Sequence, residues 1–170
     1  MLSLEPLRAE HADALLDFER ENRAYFARSV PDRGDAYFTA AGFAERHRAL
    51  LAEQHARVCH FHVVLDEEGN LVGRVNLVDV TDGCAELGYR VGEQAAGRGF
   101  ATAAVAQVCR LAATDYGLTS LTAVTPLDNQ ASMTVLTRNG FTRVEDTTVA
   151  GRPGVRYVRR LGRFTARIPG

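Results

Sequence analysis

Apolar positions change their period several times along this chain. Residues 2–7 alternate apolar and polar, which predicts a strand. Ala14, Leu15 and Phe18 then fall on one helical face, predicting a helix over residues 11–22. Residues 24–38 carry Pro31 and Gly34 and show no period, so this segment reads as irregular. Phe43, His47, Leu50 and Leu51 restore helical spacing over 40–56. The period then becomes two. Strands are predicted at 59–65, 71–80 and 84–91, with turns at Asp66-Glu67-Glu68-Gly69-Asn70 and Thr81-Asp82-Gly83. Helical spacing returns over 102–116, with Gly117 as its stop. A strand follows at 118–125, and then a short helix from Asn129, a suitable N-cap, to Asn139-Gly140. A last hairpin joins 141–148 to 155–161 around Gly151-Arg152-Pro153-Gly154.

The order β-α-α-β-β-β-α-β-α-β-β forces only one parallel crossover, from 84–91 through the long helix to 118–125. The expectation is one α/β (α+β) domain over 1–170, with a mixed, mostly antiparallel sheet. At 170 residues, 46% hydrophobic and 24% charged, the composition is that of an ordinary globular protein. A net charge of −1 supplies no field that would draw the whole protein to nucleic acid or membrane. The sequence has no run of 18 apolar residues and no basic-then-apolar leader, so a cytoplasmic protein is expected.

Chemistry concentrates at Gly97-Arg98-Gly99-Phe100-Ala101, between a strand and a helix. Such a loop leaves backbone N–H groups free at a helix N-terminus and removes the Cβ atoms that would hold a phosphate away. All 20 basic residues are Arg, so neither a Gly-Lys-Ser/Thr phosphate loop nor a lysine Schiff base is available. The loop lacks GxGxxG, which also excludes the dinucleotide fingerprint. Cys59, Cys84 and Cys109 form no CxxC pair and read as small core residues. His60 and His62 share a strand face, but no third ligand stands at suitable spacing, so they read as core-edge or surface residues and no metal is expected. His11, His47 and His55 read as structural or solvent-facing. Arg152, Arg156, Arg159, Arg160, Arg163 and Arg167 carry no interspersed acid and read as a solvated face, with rRNA or an acidic partner as the alternative.

The element order and three motifs resemble the GNAT acetyltransferase superfamily. Its phosphate loop, Gln/Arg-x-x-Gly-x-Gly/Ala, is matched by Gly99 and Ala101, whereas Ala96 departs from it. Asn129-Gln130-Ala131-Ser132 followed by Asn139-Gly140-Phe141 resembles a second family segment, with Leu136 where many members carry Tyr. Ser132 with that replacement, and Asn22-Arg23-x-Tyr25-Phe26 followed by Pro31-x-Arg33, are similar to the RimJ/RimL-type branch. That branch acetylates N-terminal amines of ribosomal proteins. An aromatic common before the proline is replaced by Ser29-Val30.

The resemblance implies a sheet of about seven strands flanked by four helices and splayed between its fourth and fifth strands. Acetyl-CoA would be the co-substrate, with no metal. Its pantetheine would pair with backbone of Leu87, Gly88, Tyr89, Arg90 and Val91. Its pyrophosphate would rest near Ala96, Gly97, Arg98, Gly99, Phe100, Ala101 and Thr102, with Asn129, Ser132 and Leu136 alongside. Glu86, in a Glu-x-Gly-Tyr run, would take the proton from the acceptor amine, although a lone strand Glu is otherwise a solvated or paired residue. Asn129 would orient the pantetheine beyond its capping role, and Ser132 would serve the departing thiolate. Asn22, Arg23, Tyr25, Phe26 and Arg33 would border the acceptor. The acceptor would be a protein N-terminus such as a ribosomal protein's, or else a small amine: an amino acid, polyamine or antibiotic. A non-catalytic acyl-CoA-binding regulator is the reading from another class. Nucleic acid would be met only through the ribosome, and the protein would be a monomer or homodimer.

Overall fold

The computed structural model describes residues 2–162. Seven strands form one sheet: β1 (Ser3–Pro6), β2 (His60–Leu65), β3 (Leu71–Thr81), β4 (Cys84–Val91), β5 (Ser120–Pro126), β6 (Thr142–Val149) and β7 (Arg152–Arg160). Their order is β1-β2-β3-β4-β5-β7-β6, and only β4 and β5 run parallel. The crossover between them is α4 (Phe100–Thr114). The other helices are α1 (Ala12–Glu21), α2 (Arg23–Ala27), α3 (Ala40–His55) and α5 (Gln130–Arg138). Four helices of nine or more residues thus flank the sheet, as expected, and the short α2 is an addition.

The sheet separates two cores. On one face α4 and α5 pack Val105, Val108 and Leu136 against Val75, Leu77, Leu121 and Val155. On the other, α1 and α3 bring Leu15, Phe18, Phe43 and Leu50 onto Phe61 and Val63. Along β5 every second residue (Leu121, Ala123, Thr125) is buried.

Segment 24–38 is ordered by side chains rather than by period. Arg23 reaches Asp32 with two hydrogen bonds of 3.0 and 2.9 Å and Asp35 with one of 2.7 Å, and its guanidinium lies 4.1 Å from the Phe38 ring centroid. Arg20 donates to the Phe38 carbonyl, and Tyr37 packs edge-on against Phe43. These contacts hold α2 and a 3-10 turn over Asp35–Phe38, neither of which the irregular pattern shows. The final turn is also tighter than expected. Ala150 and Gly151 both have positive φ, so β7 begins at Arg152 and includes Pro153.

Cys59 and Cys109 are buried as expected, whereas Cys84 is exposed at the start of β4, beside Ser120. In the tail, Arg152 pairs with Asp128 and Arg156 with Glu145. Arg163 and Arg167 lie outside the described residues. No described helix is long and apolar enough to cross a membrane.

His62 is enclosed rather than at an edge. Its Nδ1–H donates to the Val75 carbonyl at 3.0 Å, and Nε2 accepts from the Tyr116 hydroxyl at 2.5 Å. Tyr116 in turn stacks on His60. Burial pulls the pKa of His62 from 6.5 down to about 4. The unfolded chain therefore binds this proton first. The stability contributed by neutral His62 is complete above pH 6.5 and is lost as pH falls toward 4. Urea unfolding at pH 4.5 should show about 2–3 kcal/mol less stability from this group than at pH 7, a difference reduced in His62→Gln.

Candidate active site

The parallel pair β4 and β5 stays in register for only three positions, Cys84↔Ser120, Ala85↔Leu121 and Glu86↔Thr122. Beyond them the strands part, although β4 continues to Val91 and β5 to Pro126. The expected splay is therefore present. It leaves the β5-facing edge of Leu87, Gly88, Tyr89, Arg90 and Val91 without a strand partner. An unpaired strand edge is a template for another extended group carrying amides.

Two cavities occupy the splay. One, of about 520 Å³, is lined by Glu86, Leu87, Gly88 and Tyr89 of β4, by Ala123–Pro126 of β5, and by Asn76. Its outer walls are residues 27–31 and the tip of the β6–β7 hairpin. The second, of about 480 Å³, is lined by Tyr89, Arg90 and Val91, by Ala96, Gly97, Gly99, Phe100, Ala101 and Thr102, and by Tyr25 and Phe26. Tyr89, Asn129 and Ser132 line both, so the two form one trough with these residues at its waist.

The glycine loop forms one end. Gly97 and Gly99 have φ of 73° and 76°, and a Cβ at either would meet nothing within 4 Å, so both are required by backbone conformation. Gly99 is the N-cap of α4 and supplies no capping side chain, so the first-turn N–H groups face the trough without an intrahelical acceptor. The helix begins two residues earlier than its apolar spacing indicates, which adds Phe100 and Ala101 to this donor set. Ala96 lines the cavity. The Arg98 guanidinium instead lies 5.0 Å from the Phe100 ring centroid and does not line it.

At the waist, Asn129 Oδ1 accepts the Ser132 N–H at 3.1 Å, so the capping expected of Asn129 is present. The Tyr89 hydroxyl reaches across the cleft to the Ser132 carbonyl, 3.2 Å away, and lies 2.9 Å from Ser132 Oγ. Burial raises the pKa of Tyr89, so the phenol stays protonated. Asn139 donates to the Thr102 and Val135 carbonyls at 3.2 and 2.9 Å, tying the end of α5 to the start of α4. Leu136 is a core residue whose side chain closes the trough floor.

At the far end Glu86 is half-buried and its side chain, among the described residues, makes no hydrogen bond or ion pair. It is the only carboxylate among the described residues lining that cavity, whose walls also carry Arg28 and Arg152. Arg90 lines the glycine-loop cavity, its guanidinium 4.6 Å from the Phe26 ring centroid. It shares the buried Glu19 carboxylate with Arg74, at 3.4 and 3.0 Å respectively.

The structure does not bring Asn22, Arg23, Tyr25, Phe26 or Arg33 to the Glu86 cavity. Asn22 is buried, its Oδ1 accepting the Glu93 N–H at 2.9 Å. Arg23 is taken up by Asp32 and Asp35, and Arg33 lies over Tyr37. Tyr25 and Phe26 line the glycine-loop end. The Glu86 end is walled instead by Ala27, Arg28, Ser29, Val30 and Pro31, of which the sequence singled out Pro31 as a motif residue and Ser29-Val30 as the departure before it. No described group of His, Cys, Asp and Glu is placed to hold a metal.

The acetyltransferase (GNAT) domain family model matches residues 1–142. The probable N-acetyltransferase YjcK of Bacillus subtilis is 28% identical over 144 residues, covering 80% of this chain and 77% of that protein. The crystal structure of ribosomal-protein-S5-alanine acetyltransferase from Vibrio fischeri superposes with a TM-score of 0.88 at 20% identity, covering 94% of this chain and 93% of the other. Spermidine N-acetyltransferase from Vibrio cholerae, in complex with CoA and spermine, superposes with a TM-score of 0.76 at 18% identity, covering 94% and 95%. With the family model spanning most of the chain, and with its glycine loop, splayed strands and capped α5 in one trough, this protein belongs to the GNAT acetyltransferase family and is an acetyl-CoA-dependent acyltransferase.

Proposed function

We propose that this chain moves the acetyl group of acetyl-CoA directly to a primary amine, most specifically the N-terminal α-amine of a cytoplasmic protein such as a ribosomal protein. The observation that carries this is the parting of β4 from β5 beyond Glu86, with a glycine loop at a helix N-terminus at one end and an unpaired carboxylate at the other.

The open edge of β4 pairs with the pantetheine amides as an added strand does, and the N–H groups at Gly99–Thr102 take the pyrophosphate. The thioester then lies at the waist, beside Tyr89 and Ser132. A free amine entering from the Glu86 side attacks the carbonyl carbon. The N–C bond forms, the carbonyl oxygen gains charge that a backbone N–H near Gly88 stabilises, and the amine proton passes to Glu86. When the C–S bond breaks, the Ser132 hydroxyl donates a hydrogen bond to the departing thiolate, which then takes its proton from solvent, and Tyr89 holds that hydroxyl in place. Positioning supplies most of the rate. No covalent enzyme intermediate is required, because both reactants meet in one trough.

The acceptor end favours a protein N-terminus over a polyamine. The cavity lining carries one carboxylate, Glu86, beside the cationic Arg28 and an Arg152 already paired with Asp128, so one amine is matched while further ammonium groups find no acidic partner. CoA release with alanyl, seryl and methionyl tetrapeptides, set against spermidine, tests this. Turnover of peptides is expected, and turnover of spermidine alone would reject it. Tight acetyl-CoA binding with no turnover of any amine would favour a regulator instead.

Ser132→Ala should lower kcat about 10-fold, with the KM for acetyl-CoA little changed, in a steady-state assay. Unchanged turnover would remove Ser132 from the thiolate step.

A further inference from the structure

Asn76 has no place in the mechanism above, yet it stands in the acceptor cavity. On β3 it pairs with Gly88 of β4, and Val78 pairs with Glu86. Directly paired residues of antiparallel strands share a face, as do residues two apart. Asn76 and Glu86 therefore project to the same side as diagonal neighbours, roughly 7–8 Å apart. Between them lies Gly88, where a Cβ would meet nothing within 4 Å, so the floor separating the two side chains is open. Both side chains line the same cavity.

Asn76 Oδ1 is buried without a hydrogen-bond partner, and among the described residues its amide makes no hydrogen bond. Leaving a buried acceptor unpaired is costly, and native structures rarely keep one where nothing uses it. The terminal torsion of Asn is soft, so a modest rotation turns Oδ1 toward the cavity. There it is placed to meet a donor carried by the acceptor substrate.

We propose that Asn76 is a specificity-determining residue that accepts one N–H of the acceptor amine and selects primary amines; this rests on the acetyltransferase reading above. A neutral primary amine has a lone pair and two N–H groups. The lone pair is directed at the thioester carbon. Glu86 accepts the N–H whose proton leaves when the N–C bond forms and the C–S bond breaks. Asn76 Oδ1 accepts the other, which stays in the amide product. Two acceptors flanking Gly88 fix the nitrogen so that its lone pair faces the waist of the trough. A secondary amine has no second N–H for Asn76.

The test uses the full chain and whichever of the alanyl, seryl or methionyl tetrapeptides or spermidine the wild type turns over fastest. Asn76→Leu is expected to raise the acceptor KM about 10-fold or more, leaving the acetyl-CoA KM within about twofold. Asn76→Asp retains the acceptor oxygen, so it should restore the acceptor KM. Its added carboxylate next to Glu86 should also move the pH profile of kcat/KM upward, which a merely structural residue would not do. An unchanged acceptor KM in Asn76→Leu overturns the assignment. So does a parallel rise in both KM values together with a fall in Tm. A wild type that binds acetyl-CoA but acetylates no amine in the panel overturns the transferase reading itself, and this one with it. That failure is seen without any Asn76 variant.

Discussion

Glu86→Gln is expected to lower kcat/KM for the acceptor about 100-fold at neutral pH, in the range usual for loss of a general base. An N-terminal ammonium has a pKa near ~8, so at pH 7 most of the acceptor must shed a proton before or during attack. Glu86 is the one described carboxylate facing the cavity, with no protein partner competing for it. The amide of Gln retains the shape and a hydrogen-bond acceptor but takes no proton. The deficit should therefore narrow as pH rises above ~8, where solution supplies free amine. Acetyl-CoA affinity by calorimetry should be unaffected, since Glu86 lies at the end away from the glycine loop. A variant with full kcat/KM across the pH range would remove the base assignment.

The second large effect belongs to the loop. Gly99→Val should weaken acetyl-CoA binding about 10- to 100-fold. At φ 76° a left-handed backbone costs an L-residue roughly 1–2 kcal/mol, and a β-branched side chain raises that cost. The chain can relieve the strain only by turning the first N–H groups of α4 away from the trough. With no flanking polar side chain at Ala96, little else would hold the pyrophosphate. Melting temperature should fall modestly while the calorimetric Kd rises. An unchanged Kd would mean that the phosphates bind elsewhere.

The parts of this site made of backbone were legible in the sequence. Gly97 and Gly99 stand where period two gives way to helical spacing, and only a parallel crossover fits the elements on either side. The splay beyond Glu86 follows from that crossover once the family resemblance is admitted. Asn129 was legible as a cap because capping is a local rule.

Parts made by tertiary contact were not legible. The strap around Pro31 shows no period because Arg23, Asp32, Asp35 and Phe38 order it through side chains. Arg23 and Arg33 of its motif point into that scaffold and Tyr25 and Phe26 line the glycine-loop end, while Pro31 and its neighbours from Ala27 face the Glu86 cavity. Cys84 looked like core because it heads an apolar strand, but pairing there ends at the sheet margin. Asn76 gave no signal at all. It sits in an ordinary strand, and its meaning comes only from standing opposite Gly88 with an unpaired oxygen.

The proposed reaction is direct transfer from acetyl-CoA to a primary amine in the Glu86 cavity. Its most direct measurement is CoA release together with mass spectrometry of a seryl or alanyl tetrapeptide, for the wild type and Glu86→Gln side by side. CoA and N-terminally acetylated peptide are expected in equal amounts from the wild type, with a rate about 100-fold lower from the variant at neutral pH. Acetylation at equal rates by the two proteins would contradict it, as would acetyl-CoA bound by the wild type with no peptide acetylated.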